Sequence, residues 1–306
     1  MLKLVDIYKS FGDKKVLKGI SLEIKEGEVY GLIGANGAGK TTLFNIVARI
    51  LDADSGKVFA GDKEIKIAND LKGNIGYILD IPAMYEYMTA YEYLEYIASP
   101  MKLPKDKLRS KSDAVLTEVG LGDVGDKRIK SFSRGMKQRM GIAAGLISDP
   151  AIILMDEPSS ALDPLGRLDV IKIIDSLRAK GKTIILSTHI LSDVERVCDR
   201  VGLLVEGKIV VEGKLRDVLD RYSYDIFNVY VSKEDFDQVI AKAKTCKYFV
   251  SAKKCGDHVE IEYLGEGKKT MFKCLSSVAV NCDGVMKKEP TIEQVFLLAS
   301  NEVKNV

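Results

Sequence analysis

Val29-Tyr30-Gly31-Leu32-Ile33-Gly34-Ala35-Asn36-Gly37-Ala38-Gly39-Lys40-Thr41-Thr42 is the stretch that decides the reading of this chain. An uncharged run, a glycine-rich loop and a lysine–hydroxyl pair follow one another without a gap, and a helical pattern then runs from Thr42 to Ile50. The run predicts a strand buried on both faces, as in a parallel sheet. Gly34 to Thr41 has the spacing of a phosphate-binding loop. Its glycines let successive backbone N–H groups turn inward toward phosphate oxygens, and the start of the helix adds partial positive charge beneath them. Lys40 is expected to reach the β- and γ-phosphates, and Thr41 to offer its hydroxyl to Mg²⁺.

A second run fits the first. Ile152-Ile153-Leu154-Met155-Asp156-Glu157 predicts a buried strand with two carboxylates at its end, where ligands bind in parallel sheets. Asp156 suits an Mg²⁺ ligand, and Glu157 a general base that polarises the attacking water. Thr183 to Ser187 is a third apolar run. Strands and helical patterns alternate in this way to about residue 215, which predicts an α/β fold. Leu2–Tyr8 and Val16–Ile24 alternate apolar and polar residues around the turn signal Phe11-Gly12-Asp13, and predict an antiparallel β subdomain. A helical insert is expected over about 82–145. Thr89-Ala90-Tyr91-Glu92 forms a capping box for a tyrosine-rich helix to Ala98, and a second helix runs from Lys105 to Val119. The tyrosines at 85, 87, 91, 93 and 96 read either as packing or as a docking surface.

After residue 220 the pattern changes. Strands are expected at Ile226–Ser232, Tyr248–Ala252 and His258–Leu264, with a last one at Ala279–Cys282 or Val285–Lys288. Helices are expected from Ser232 to Lys244, Gly267 to Val278 and Thr291 to Ser300. This order predicts a small α+β, ferredoxin-like module over 220–306, beside a first domain over 1–219.

Composition sets the outer bounds. The 306 residues carry 46 Lys and Arg against 44 Asp and Glu, a net charge of +2 that lacks the basic excess of a nucleic-acid binder, so no nucleic-acid partner is expected. No apolar run reaches the ~18–20 residues of a membrane span. Met1-Leu2-Lys3-Leu4-Val5-Asp6 meets an acid too early for a signal peptide, so a cytoplasmic location is expected. The cysteines at 198, 246, 255, 274 and 282 form no CxxC pair and are expected to be free thiols. The gaps among the last four do not suit a zinc ribbon or knuckle.

Further motifs complete the pattern. Phe132-Ser133-Arg134-Gly135-Met136-Lys137-Gln138-Arg139 lies between the loop and the acidic strand; Ser160-Ala161-Leu162-Asp163 and Ser187-Thr188-His189 follow them. In this order residues 1–215 closely resemble the ATP-binding subunit of an ABC transporter. The resemblance implies an ATPase that converts ATP and water to ADP and phosphate, with ATP and Mg²⁺ as ligands. It implies that Phe11 stacks on adenine and that Gly34, Asn36, Gly37, Ala38, Gly39, Lys40, Thr41 and Thr42 form Walker A. Asp156 and Glu157 correspond to Walker B and the catalytic glutamate. Ser133 and Gly135 correspond to the signature that contacts ATP held by an opposite subunit, Asp163 to the D-loop and His189 to the switch histidine.

Phe132, Arg134 and Met136 depart from the usual Leu-Ser-Gly-Gly-Gln signature. Ile75-Gly76-Tyr77-Ile78-Leu79 resembles the strand before the Q-loop, yet Asp80 stands where glutamine is expected, and its carboxylate is expected to act through Mg²⁺. Glu289-Pro290-Thr291-Ile292-Glu293-Gln294-Val295-Phe296 resembles the tail of the antibiotic-resistance and bacteriocin-immunity exporters. The expected partners are therefore a separately encoded membrane-spanning subunit, contacted through Asp80 to Tyr96, and a second ATP-binding subunit in a homo- or heterodimer. The chain would lie on the inner face of the cell membrane through that partner. Two alternatives stand beside this reading. A non-transport ATPase acting on ribosomes or DNA usually carries two cassettes or a long coiled-coil insert, and neither pattern is found here. A regulatory protein that holds ATP with little turnover fits Asp80, but not Glu157 and His189.

Overall fold

The computed structural model describes residues 1–67, 70–71, 74–160, 162–222, 225–246, 249–263, 282–288 and 291–304. The chain divides into two compact units, one of Met1–Leu215 with Leu298–Val306 and one of Arg216–Leu297. The division falls a few residues ahead of the change in sequence pattern at about 220.

The first unit opens with a hairpin, β1 (Leu2–Phe11) and β2 (Lys14–Ile24), followed by β3 (Val29–Ile33) and α1 (Lys40–Val47). Two more strands, β4 (Ser55–Ala60) and β5 (Lys63–Glu64), extend the hairpin into an antiparallel sheet ordered β2-β1-β4-β5. After β6 (Ile75–Ile78) comes the insert: α2 (Ala90–Ala98), α3 (Lys105–Glu118) and α4 (Arg134–Leu146). The rest alternates as read: β7 (Ile152–Asp156), α5 (Pro164–Ala179), β8 (Thr183–Thr188), α6 (Leu191–Val197), then β9 (Arg200–Val205) and β10 (Lys208–Lys214). The second sheet runs β10-β9-β3-β8-β7-β6, parallel throughout except for the β9–β10 hairpin.

Every residue of β3, β7 and β8 is buried, which is why these strands read as near-continuous apolar runs. One face of β3 contributes Tyr30 and Leu32 to a core shared with Leu43, Phe44 and Ile46 of α1 and with Leu2, Leu4 and Ile7 of β1. The other face carries Gly31, where a Cβ would stand 2.9 Å from Cys198 Sγ and 3.2 Å from Val194 of α6. Glycine there lets α6 lie directly on the sheet.

In the insert, Thr89 Oγ1 accepts from Glu92 N at 3.2 Å, and Glu92 Oε2 accepts from Thr89 N at 2.8 Å, so the capping box forms. The tyrosines divide between buried and exposed positions. Tyr93 is buried and donates to Ala83 O at 3.0 Å. Tyr91 donates to Asp113 at 2.6 Å beneath the Arg109 guanidinium, which lies 3.3 Å from its ring centroid. Tyr85, Tyr87 and Tyr96 are exposed and packed on one another, with ring centroids 5.8 and 5.3 Å apart.

At the boundary α7 (Leu215–Arg221) leads into β11 (Asp225–Val231), α8 (Phe236–Lys244), β12 (Phe249–Cys255), β13 (His258–Tyr263), β14 (Cys282–Lys287) and α9 (Ile292–Lys304). Their sheet is ordered β12-β13-β11-β14 and is antiparallel at every pairing. This is the order of a split βαβ arrangement, with β13 inserted between the strands that α8 connects. Phe227, Val229, Phe236, Val239, Val259, Ile261 and Tyr263 form its core. The helix expected at 267–278 lies outside the described residues, and so does the first candidate for the last strand up to 281.

The cysteine expectation needs one correction. Cys198, Cys255 and Cys282 are free, but buried Cys246, just beyond α8, is disulfide-bonded. Spacing could not reveal that pairing, because a disulfide requires Cα atoms within about 7 Å, a condition only the fold can meet. Cys274 lies outside the described residues. Among the described residues no helix is long and apolar enough to cross a membrane.

The capping box makes a local prediction. Thr89→Ala should lower unfolding stability by about 1 kcal/mol, seen as a lower urea midpoint with an unchanged slope. A midpoint equal to that of the unsubstituted chain would mean that the cap does not hold α2 in place.

Candidate active site

Four neighbouring strands bring the candidate residues to one edge of the parallel sheet. β3 ends in the glycine loop, β8 in Ser187, Thr188 and then His189, β7 in Asp156 and Glu157, and β6 is followed two residues on by Asp80. Because these strands are parallel, all their carboxyl ends lie on the same side. An open cleft of about 460 Å³ is lined there by Asn36, Gly37, Gly39, Lys40, Thr41, Thr42, Asp80 and Glu157, together with Lys14 and Val16.

The loop is shaped for close approach. Gly37 (φ 82°) and Gly39 (φ 112°) lie in the left-handed region that favours glycine. A Cβ on Gly37 would meet nothing within 4 Å, so this part of the loop faces open space; one on Gly39 would come within 2.8 Å of Leu17. Gly34 abuts Leu204 O, and Ala38 packs against the core, so these two hold the loop in place rather than line the cleft.

The charges converge on Lys40, whose side chain is only 6% exposed. Its ammonium donates to Gly34 O at 2.7 Å and lies 3.3 Å from Glu157 Oε1. Glu157 has φ 48°, unusual for a side-chain-bearing residue and typical of strained functional positions. Its backbone N–H donates to Ser187 O at 3.0 Å. Its Oε2 lies 2.7 Å from His189 Nδ1, and its buried Oε1 faces the Lys40 ammonium as an ion pair. Asp156 is buried and accepts a hydrogen bond from the Ser187 hydroxyl. Burial, reinforced by the negative charge of Asp156, pushes the Tyr77 phenol well above its usual range, so it stays protonated. Asp80 Oδ1 accepts from Ser160 Oγ at 2.7 Å.

These features fit a magnesium nucleotide. A buried ammonium satisfied by loop carbonyls and a single acid, and an open glycine cradle beside it, match a phosphate chain and its water. Thr41 lines the cleft and is exposed at its mouth, and Asp156 stands buried at the end of β7; both are oxygen donors of the kind Mg²⁺ takes.

Not every predicted residue meets here. Ser133, Gly135 and Asp163 line a separate cleft of about 470 Å³ with Arg134, Arg139 and Asp169, and this cleft shares no residue with the first. Ser133 caps α4 by accepting from Met136 N at 3.3 Å, and Asp163 caps α5 by accepting from Gly166 N at 2.8 Å. Two helix N-termini therefore open into it. Phe11 is half exposed at the tip of the first hairpin, 5.6 Å from the Lys9 ammonium. It does not line the cleft; Lys14, its register partner, does.

Sequence reading missed the supporting groups. Ser187 and Ser160 stood inside recognised motifs, but nothing local said that they would hold Asp156 and Asp80. Tyr77, whose hydroxyl donates to Asn45 at 3.1 Å, read only as a strand residue. Lys14 and Val16 reach the cleft through hairpin register, which no short motif encodes.

Comparison with known proteins agrees with this geometry. Residues 17–160 match the ABC transporter family model. The chain is 32% identical over 298 residues to the ABC transporter ATP-binding protein YxlF of Bacillus subtilis, covering 97% of this chain and 98% of that one. It is 37% identical over 212 residues to the lantibiotic transport ATP-binding protein SrtF of Streptococcus pyogenes, covering 69% and 90%. It spans 61% and 58% of the length of two cyanobacterial ABC transporter ATP-binding proteins, from Nostoc and Synechocystis. The dimeric ATP-binding cassette MJ0796, solved in a post-hydrolysis state with ADP and phosphate, superposes with a TM-score of 0.64 at 27% identity, covering 71% of this chain and 99% of that one. With the loop, the two acids and the histidine on one sheet edge, and a relative matched along nearly its whole length, this chain belongs to the family of ABC transporter ATP-binding proteins.

Proposed function

We propose that this chain hydrolyses ATP as the nucleotide-binding subunit of an exporter, within an ATP-dependent dimer, and drives a separately encoded membrane-spanning subunit. The Lys40–Glu157–His189 cluster carries the reading. Glu157 is held on one side by His189 and on the other by Lys40, so an arriving phosphate chain competes for the ammonium and frees the carboxylate. Glu157 then orients the attacking water and takes its proton, while Lys40 balances charge on the phosphates. His189 keeps the carboxylate in place and would sense the γ-phosphate once ATP is bound. When bound by Thr41 and Asp156, Mg²⁺ supplies neutralisation of the phosphate charge.

Several observations support the wider reading. The signature cleft, with two helix N-termini and two arginines, is a place for anionic phosphate, yet it is distinct from the glycine loop of the same chain. A second copy or a related subunit, facing head to tail, would complete both sites, as the dimeric relative suggests. Phe11 would then meet adenine from the hairpin tip. Beside the insert an apolar groove of about 840 Å³, lined by Leu79, Pro82, Tyr93, Ile97, Pro100 and Met101, adjoins Ile81, which is 80% exposed. That much unpartnered apolar surface suits a membrane subunit, and binding it would place the chain on the inner face of the membrane. The names of the lantibiotic-transport relative and the resemblance of the tail motif favour export. A regulator with little turnover is the second reading, and Asp80 is the observation that favours it.

Lys40→Ala should abolish hydrolysis and weaken ATP binding. Glu157→Gln should retain binding, lower the rate by about 10²–10⁴-fold and trap an ATP-bound dimer on size exclusion. A Glu157→Gln protein that turns over at the unsubstituted rate would remove Glu157 from the base role.

If Asp80 acts through the metal, Asp80→Asn and Asp80→Gln should flatten the Mg²⁺ dependence of the ATPase rate, the glutamine variant with activity kept. Ser160→Ala, which frees Asp80 Oδ1, should shift the same curve. Superimposable titrations would take Asp80 out of the metal site.

Ile81→Asp should release the chain from membranes of cells that make its natural partner, with ATP binding by the purified chain unchanged. Continued co-sedimentation with those membranes would move the docking surface elsewhere.

A further inference from the structure

Hairpin β12–β13 turns through Gly256 and Asp257, and its register sets Cys255 directly opposite His258. Opposed residues of an antiparallel pair share a face, as do residues two apart on one strand. Val259, Ile261 and Tyr263 fill the core of this unit. His258 and Glu260, and Cys255 with them, therefore project from the opposite face, where each is partly exposed. One ligand atom from each of the three lies within 4.8 Å of the others.

The surroundings of this cluster point the same way. His258 Nδ1 lies 2.8 Å from Asp257 Oδ1. Donation there leaves the lone pair on Nε2 and fixes the ring, which is what a supporting carboxylate does for metal-bound histidines. Asn228 on β11 stands opposite Glu260, and its buried Oδ1 has no hydrogen-bond partner. Tyr230, opposite His258, packs its ring 5.2 Å from the imidazole. Lys288 Nζ lies 2.5 Å from Glu260 Oε2, which leaves the other carboxylate oxygen for a ligand.

We propose that this face binds one divalent transition metal ion, Zn²⁺ by its ligand chemistry, through Cys255 Sγ, His258 Nε2 and the Glu260 carboxylate. A thiolate, an imidazole and a carboxylate suit a borderline-soft ion of tetrahedral habit, and disfavour Mg²⁺ and Ca²⁺, which seek oxygen alone. Three protein ligands leave a fourth position for water or another donor. Cysteine binds as thiolate, so the thiol proton passes to solvent as the ion enters. The ion would clip both strands of the hairpin together. The site lies outside the nucleotide cleft and does not depend on the proposed ATPase role.

Titration of the full chain with Co²⁺, without nucleotide or Mg²⁺, tests this. One equivalent should bind with tetrahedral visible bands and a thiolate-to-cobalt charge-transfer band, and Zn²⁺ should displace it. Cys255→Ser should remove the charge-transfer band, and His258→Ala should remove saturable binding. Asp257→Asn, which keeps all three ligands, should weaken binding by about tenfold. Cys282→Ser should change nothing, because that exposed free thiol is not part of the cluster. A charge-transfer band that survives Cys255→Ser, or binding of well under one equivalent to the unsubstituted chain, would overturn the proposal.

Discussion

The hydrogen bonding of β8 between β3 and β7 determines which groups can meet at the nucleotide edge. Ile33 is paired with Thr188, and Asp156 with Ser187, so the glycine loop, the histidine turn and the acidic pair start from adjacent positions. In a strand, a slip of one residue turns every side chain to the other face. Such a slip would send the Ser187 hydroxyl away from Asp156 and His189 away from Glu157. Close packing on both faces opposes it: a side chain brought to the place of Gly31, for example, would meet Cys198 Sγ at 2.9 Å.

On this rigid edge the protein gathers charge that would be costly elsewhere. Lys40 is buried, Asp156 nearly fully so, and Glu157 largely so, and each is compensated by named partners rather than by solvent. Such clusters contribute little net stability, since desolvation offsets attraction. In the proposed ATPase role the cluster is prepared for an anion: the ammonium that now pairs with Glu157 is the group that a phosphate would claim. The signature residues were read in the same linear pattern as the loop, yet they line a different cleft. One chain thus carries two separate clefts, and that division is the physical ground for the proposed dimer.

The smaller unit follows another rule. Its sheet buries one face against α8 and leaves the other lined with His258, Glu260 and Glu262, as period-two alternation requires. A unit of about 80 residues has a limited core, and cross-links are a common supplement in domains of that size. The Cys255–His258–Glu260 face is the place where a metal would supply one.

Much of this molecule was legible in its sequence, for a definite reason. Glycine loops, capping boxes and fully buried strands are local patterns, whose physics acts within a few residues. The run from Val29 to Thr42, the acids after Leu154, the Thr89 box and the alternation beyond 225 each carried their own information. Pairings across long separations did not. Ser160 on Asp80, Ser187 on Asp156 and Lys14 at the cleft all depend on which strands become neighbours, and β8 enters between β3 and β7 although it comes last of the three in the chain. The sequence by itself determined which chemistry is present; the tertiary structure alone decided which groups share a cleft, because strand order is set by the packing of whole sheets and not by any short segment.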